Sequence, residues 1–178
     1  MKQSKKIFTK MLLNNWGGIS HKELSFHEHV NLFSGKSGSG KSTVMDAIQV
    51  ILYGSVASTF LNKAADDAKN RRSVLSYLRG EQKDGTANRE GTDFCSQIVL
   101  EVEDTATNIV TCIGAIFEVG KNDLDLKRYF FFSHSGRIPE DGYISENGSP
   151  YTISRLKKLV EQRLSLIHIS EPTRLGMI

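Results

Sequence analysis

Cysteine is scarce in this sequence, and its scarcity argues against two classes of protein. Only two of the 178 residues are cysteine, Cys95 and Cys112, and they do not form a C-x-x-C pair. A disulfide framework or a cysteine zinc site needs more thiols at closer spacing. We therefore expect both cysteines to be free thiols in a reducing cytoplasm.

Long apolar runs and a large charge of one sign are also lacking. Lys10 interrupts the apolar run of residues 7–13 before it reaches the length of a signal peptide, and no other stretch approaches a membrane span. The net charge is only +3, so composition alone does not indicate a nucleic-acid-binding protein. The sequence predicts a cytoplasmic protein without membrane contact, of a length that suits one domain.

What the sequence does contain is a complete phosphate-binding loop of the G-x-x-x-x-G-K-S type. An apolar run, residues 30–33, precedes the loop and predicts a strand, and apolar residues at helical spacing follow it. Strand, glycine loop and helix are the context in which this motif binds a nucleotide. The predicted binding residues are Gly35, Lys36, Ser37, Gly38, Ser39, Gly40, Lys41, Ser42 and Thr43.

The chemistry of this loop predicts ATP and Mg²⁺ as its cofactors. The glycines allow backbone conformations that turn amide N–H groups toward a phosphate, and the start of the helix adds further N–H groups and the positive end of its dipole. We expect Lys41 to reach the β- and γ-phosphates as the catalytic cation. The Ser42 hydroxyl is expected to ligate Mg²⁺, and Thr43 to reach the α-phosphate.

The remaining pattern predicts an α/β domain with an antiparallel part. Residues 6–14 and 19–26 are predicted to form a hairpin around the turn at Trp16, Gly17 and Gly18. Strands are also predicted at residues 94–103, 108–119 and 124–132, and the short turns between them favour antiparallel pairing. Helices are predicted from the loop to Gly54, from Ser73 to Gly80, and over residues 155–162.

Two groups of polar residues leave alternatives open. Arg71, Arg72 and Arg79 bracket the short second helix and form either a solvated basic face or an arginine loop that contacts nucleotide or DNA phosphates. The histidines at positions 21, 27 and 29 have no cysteine or carboxylate cluster beside them, so exposed loop histidines are favoured over a metal site.

The last fifteen residues are expected not to be native sequence. Residues 164–174 resemble, residue for residue, one reading frame of a widely used transposon-based sequencing adapter, and residues 175–178 would be read from the bases that follow. We therefore expect a native lobe over residues 1–163 that belongs to a longer protein.

With these features in place, the chain resembles the N-terminal half of an SMC-type ATPase head, from the family of coiled-coil, ABC-like ATPases. Residues 14–17 (NNWG), 35–43 and 46–48 (DAI) carry the resemblance. Within that family, residues 13–19 and 72–80 are similar to the MukB-like ATPase subunit of the bacterial Wadjet plasmid-defence systems.

This resemblance implies an incomplete head lobe that works only with other parts. A coiled coil and a second lobe would follow, bringing the Walker B acid and the signature motif. Two such heads would enclose two ATP molecules and act on DNA, with accessory subunits. The resemblance offers no Walker B acid in this piece, because Glu101, Glu103 and Asp104 end a strand of the antiparallel region.

Two other functions remain open from the sequence. A small-molecule or nucleotide kinase would use the same loop, with residues 81–91 as its lid. A scaffold that binds ATP without hydrolysis, closing two heads, would need no catalytic acid. In the SMC-like interpretation, ATPase activity belongs to the longer protein, and this fragment binds nucleotide without turnover.

Overall fold

A five-stranded antiparallel sheet forms the centre of the chain. The computed structural model describes residues 4–54, 74–81, 85–121, 126–133 and 136–163. The sheet order is β2-β1-β3-β4-β5. The elements, in chain order, are β1 (Lys6–Trp16), β2 (Ile19–Ser25), α1 (Lys41–Tyr53), α2 (Val74–Arg79), β3 (Phe94–Asp104), β4 (Val110–Val119), β5 (Leu126–Ser133) and α3 (Ile153–Arg163).

The predicted hairpin and the three predicted later strands are confirmed. Trp16 pairs with Ile19 across the first turn, so β1 and β2 are joined by two glycines only. β1 also pairs with β3 along most of its length, which places β1 inside the sheet and leaves β2 at its edge. Because every neighbouring pair is antiparallel, short turns suffice to connect most of the strands.

The central strands carry an apolar cluster on each face of the sheet, because alternate side chains of a strand point to opposite faces. Met11 and Leu13 of β1 lie in one apolar cluster with residues of α1 and α2, such as Ala47 and Leu78. Leu12, between them, lies in a second cluster against α3. The members of this second cluster are Leu12, Val99, Cys112, Ile116, Tyr129, Phe131, Ile138 and Leu156.

Three residues of the aromatic run 129–132 belong to these clusters. Tyr129 and Phe131 are buried on the side of α3, whereas Phe130 packs against the cluster on the side of α1. Aromatic side chains that fill a core in this way contribute mainly through the area they bury. These three residues are therefore part of the core.

A buried polar network joins the central strands to the segment that precedes α3. The Asn14 amide donates to Gln97 Oε1 at 2.9 Å and to the Gly142 carbonyl at 2.9 Å. The Gln97 amide donates in turn to the Tyr151 carbonyl at 2.7 Å. His21 Nδ1 lies 2.6 Å from Asn14 Oδ1, so this histidine is engaged with the network.

The helix ends agree with the capping residues seen in the sequence. Gly54 and Gly80 have φ values of 59° and 69° and end α1 and α2, respectively. Thr152 accepts a hydrogen bond from the Arg155 amide at 3.3 Å at the start of α3. Glu118 of β4 accepts another from the Ile153 amide at 2.8 Å, which fixes α3 to the sheet.

The strand predicted at residues 30–33 is wrong. The segment runs into the glycine loop without strand pairing to the described residues, and Val30 and Leu32 are 77% and 88% exposed. An extended segment needs a hydrogen-bonded neighbour to be a stable strand. This segment pairs with none of the five strands of this sheet, not even with the open edges of β2 and β5.

In the described part of the chain, no helix is long and apolar enough to cross a bilayer. Both cysteines are free thiols, Cys112 buried and Cys95 half-buried. Burial raises the pKa of Cys112 to about 12 and that of Cys95 to about 11, so both thiols are protonated at neutral pH.

Gly114 of β4 provides a test of the packing between strands. A Cβ at this position would overlap the Phe131 ring and would lie 2.9 Å from the Ile98 carbonyl oxygen. We expect Gly114→Ala to lower the free energy of unfolding by about 1–3 kcal/mol, the usual effect of overpacking a core. Urea denaturation measures the change. Gly18→Ala is the matched control, since nothing lies within 4 Å of the added methyl group.

The end of β3 provides a test of electrostatics. A hydrogen bond from Lys6 Nζ at 2.5 Å and others from the Ala106 and Thr107 amides hold the pKa of Asp104 well below its usual value. The resulting stabilisation is present above the pKa of an unfolded aspartate, about 4, and is lost as the pH falls through the lower folded-state pKa. The stability difference between wild type and Asp104→Asn should therefore shrink between pH 7 and pH 3 in urea titrations. A difference that stays constant over this range would contradict the assignment.

Candidate nucleotide-binding site

The glycine loop lies between residue 33 and α1, and its backbone takes the conformations that its glycines allow. Gly40 has φ 87° and occupies the N-cap of α1, where a residue with a side chain would be strained. Gly35 has φ 154°, and a Cβ there would lie 2.8 Å from Ser39 Oγ. The loop can thus form a cradle of backbone atoms that side chains would otherwise fill.

The side chain of Lys41, the first residue of α1, extends back across the glycine loop. Its Nζ donates to the carbonyls of Gly35 and Lys36 at 2.7 and 2.9 Å, and to Ser39 Oγ at 3.3 Å. Lys41, the predicted catalytic cation, is therefore held by hydrogen bonds to the phosphate-binding loop itself. In this position its charge can bind a phosphate that enters the loop.

The start of α1 adds amide donors and lacks a competing charge. The Val44 amide donates to the Gly40 carbonyl at 3.1 Å, and the amides of the three residues before Val44 lie in the first turn, where no helical acceptor exists. There is no acidic residue in this turn to compete for them. Ser42 is exposed, so its hydroxyl is accessible to a metal ion that a nucleotide brings.

This geometry fits the phosphate groups of ATP, with Mg²⁺ beside them. The donor set consists of an ammonium group, helix-terminal amides and a hydroxyl, which suit an anion and its counterion. Elsewhere in the described part of the chain, no group of three or more histidine, cysteine or acidic side chains is placed to hold a metal ion. Two surface clefts of about 690 and 570 Å³ lie away from the loop, and no residue from 35 to 43 lines them.

The predicted arginine loop is not what the structure shows for Arg79. This side chain is only 7% exposed, and its guanidinium donates to the carbonyls of Arg89, Gly120 and Lys121 at 2.8, 2.8 and 3.2 Å. A buried arginine that bonds backbone carbonyls joins loops together and does not reach a phosphate in solution. Arg71 and Arg72 lie outside the described residues.

Sequence reasoning missed Trp16, Tyr77 and Arg89. The Trp16 indole donates to the Thr43 carbonyl at 2.9 Å, and the Tyr77 hydroxyl donates to Asp46 Oδ2 at 3.1 Å. Arg89 donates to the Leu78 and Gly17 carbonyls, and burial lowers the pKa of its guanidinium. The sequence predicts a turn at Trp16 and the two glycines that follow, whereas the structure makes Trp16 the last residue of β1.

Comparison with known proteins supports the phosphate-binding loop. Residues 8–68 match the family described as the P-loop containing region of AAA domain. Within these residues the chain is similar to a P-loop region. The match agrees with the geometry, since it includes β1, β2, the glycine loop and α1.

Two individual proteins share features with the chain. It is 37% identical over 74 residues to a subunit of the nuclease SbcCD of Staphylococcus haemolyticus (strain JCSC1435), a match that covers 39% of this chain and 6% of that relative. A solved structure from work on the ATP-driven dimerization and DNA-stimulated activation of SMC ATPases aligns with 89% of this chain and 92% of its own. Its TM-score is 0.46 at 15% identity, a likeness too weak to support a functional conclusion.

Arg79 offers a test that separates folding from binding. Arg79→Ala would leave buried carbonyls without their donor, so we expect the free energy of unfolding to fall by about 2–4 kcal/mol. Affinity for Mg·ATP, measured by calorimetry under conditions where the variant remains folded, should change less than twofold. The exposed Arg128→Ala is the control for loss of positive charge. A large loss of affinity with unchanged stability would restore the arginine-loop interpretation.

Proposed function

We propose that this chain is the N-terminal ATP-binding lobe of an SMC-like ATPase head that acts on DNA. The observation that carries the proposal is the glycine loop with Lys41 held across it at the start of α1. The local similarity to the SbcCD protein, whose name describes part of a nuclease, supports the connection with DNA. The narrower resemblance to the Wadjet ATPase stays a prediction.

The need for a second lobe is supported by exposed apolar side chains before the loop and at the far end of α1. Val30 and Leu32, which precede the loop, are largely exposed, and Leu52 and Tyr53 at the end of α1 are 55% and 65% exposed. Large apolar side chains that remain exposed on a segment and at a helix end are consistent with surfaces that another part covers. A second lobe of the same protein would cover them and provide the neighbour that residues 30–33 lack.

Hydrolysis would also require that second lobe. Glu101, Glu103 and Asp104 pair with the beginning of β1, at Lys6 to Lys10, whereas the loop helix contacts the other end of β1 at Trp16. At about 3.3 Å per residue, those carboxylates lie roughly 20–30 Å along the strand from the site. Asp46 is closer, but it is buried and accepts a hydrogen bond from Tyr77. None of these four carboxylates is therefore placed to act at the loop, and we expect the catalytic acid to come from the second lobe.

The kinase alternative receives less support from the structure. Its lid would be residues 81–91, but the described second half of this segment is attached to the body. The Arg89 amide donates to the Arg79 carbonyl at 3.1 Å, and its guanidinium binds the Gly17 carbonyl. A lid that opens and closes would have to break these buried contacts in each cycle.

Lys41→Ala tests the proposal in the 178-residue chain. We expect wild type to bind Mg·ATP without measurable turnover and the variant to lose at least tenfold in affinity, because the ammonium is the main cation at the loop. Calorimetry gives the affinity, and release of inorganic phosphate gives the turnover. Lys22→Ala, on the exposed face of β2, is the charge-matched control.

Two outcomes would contradict this proposal. Equal affinity of wild type and Lys41→Ala for Mg·ATP would remove the loop as the binding site. Turnover by this chain that disappears in Lys41→Ala would show that the lobe contains its own catalytic acid. In the longer protein, we expect ATPase activity that DNA stimulates and that depends on two heads, together with accessory subunits.

A further inference from the structure

The sole tryptophan of the chain ties the sheet to the helix end of the phosphate loop. Trp16, the last residue of β1, is fully buried, and its indole N–H donates to the Thr43 carbonyl at 2.9 Å. Thr43 is the third residue of α1, directly after Lys41 and Ser42. A carbonyl oxygen has two lone pairs, so this one can accept the indole in addition to its helical partner.

A second tie lies one turn further along the same helix. The Tyr77 hydroxyl of α2 donates to Asp46 Oδ2 at 3.1 Å, and Asp46 is buried. The rings of Trp16 and Tyr77 are themselves in contact, with centroids 4.9 Å apart. Phe117 of β4 also stacks on Trp16, with ring centroids 6.0 Å apart. The indole is therefore fixed in position by rings from two other elements.

The residue after Trp16 is a glycine at a place where little room remains for a side chain between the strand and the helix. Gly17 has φ 53°, and a Cβ there would lie 3.1 Å from Thr43 Cγ2 and 3.3 Å from the Tyr77 ring. Its carbonyl accepts a hydrogen bond from the Arg89 guanidinium. The end of β1 is thus held by Arg89 and is also in close contact with Thr43.

The rest of the loop has far less support. Residues 34–39 are exposed, and the segment that leads to them contacts the core mainly through Phe33. The glycine loop is therefore fixed to the protein chiefly at its helix end. The orientation of the first amides of α1, which any phosphate in the loop would contact, depends on the contacts that Thr43 and Asp46 make.

We propose that Trp16 is a positioning residue for phosphate binding, which it serves through its hydrogen bond to the Thr43 carbonyl. The inference rests on the proposed function, because it assumes that the loop binds nucleotide phosphates. Trp16 does not touch the phosphate. Trp16 sets the position and rotation of α1, and the first turn of α1 contacts the phosphate. Tyr77 supports Trp16 in this role.

Trp16→Phe tests the role, because phenylalanine keeps an aromatic ring and removes the N–H donor. Affinities of the 178-residue chain for Mg·ATP and for Mg·pyrophosphate are measured by calorimetry. Pyrophosphate reports on the phosphate loop alone, so we expect both affinities to fall by the same factor, about fivefold for one lost hydrogen bond. Tyr151→Phe is the matched control, since it removes a 2.7 Å hydrogen bond to Asp141 at a site away from α1.

The outcomes separate this inference from the function on which it rests. Unchanged affinity of Trp16→Phe for both ligands, or a loss for Mg·ATP alone, would overturn the positioning role and leave the proposed function standing. Equal losses in Trp16→Phe and Tyr151→Phe would also overturn it, because they would reflect general destabilisation. Absence of binding to wild type would remove the proposed function and this inference together.

A measurement on the wild type decides the question even where Trp16→Phe fails to fold. Because Trp16 is the sole tryptophan, its emission reports on the contact with Thr43. We expect saturating Mg·pyrophosphate to change the intensity or wavelength of this emission, and to have no effect in Lys41→Ala. Unchanged emission at a concentration where calorimetry detects binding would show that Thr43 and Trp16 are not coupled to phosphate binding.

Discussion

The contact between the end of β1 and the first turn of α1 is the constraint on which the rest of the structure depends. β1 is paired on both sides, so its position is set by the sheet. Trp16 fixes the first turn of α1 relative to the sheet by its hydrogen bond to the Thr43 carbonyl. The phosphate loop itself is glycine-rich and exposed, and it gains a defined orientation only because the helix after it is fixed. A rigid element thus carries a loop that must approach a ligand closely.

The residues that carry the family resemblance are those that join one element to another. Asn14 holds Gln97 and the Gly142 carbonyl, which connects two strands to the segment before α3. Trp16 and Asp46 connect strand, loop helix and α2. Such side chains are hard to replace, because removing one partner leaves a buried polar group without its hydrogen bond.

Arg79 and Arg89 show that a basic residue near a phosphate loop can bind backbone carbonyls and need not bind an anion. Arg79 and Arg89 each donate to backbone carbonyls, and the Arg89 amide donates to the Arg79 carbonyl. Together they bind the end of α2 to the end of β1 and to the turn after β4. A basic residue close to a phosphate loop suggests an anion contact, yet here the guanidinium groups satisfy carbonyls that loops would otherwise leave unpaired.

Features that depend on short-range geometry can be read from the amino-acid sequence. Gly40 and Lys41 fix the start of α1, Gly54 fixes its end, and alternation along β1 and β3 fixes which side chains face each helix layer, because backbone sterics and strand periodicity act within a few residues. By contrast, the contacts of Trp16 and Arg79 and the absence of a strand at residues 30–33 follow from the folded arrangement of distant segments. Those outcomes depend on a partner 27 residues away in the first case, on partners 10 to 42 residues away in the second, and on a strand neighbour in the third. Local patterns carry no information about such partners, since folding brings them together only when the whole sheet forms.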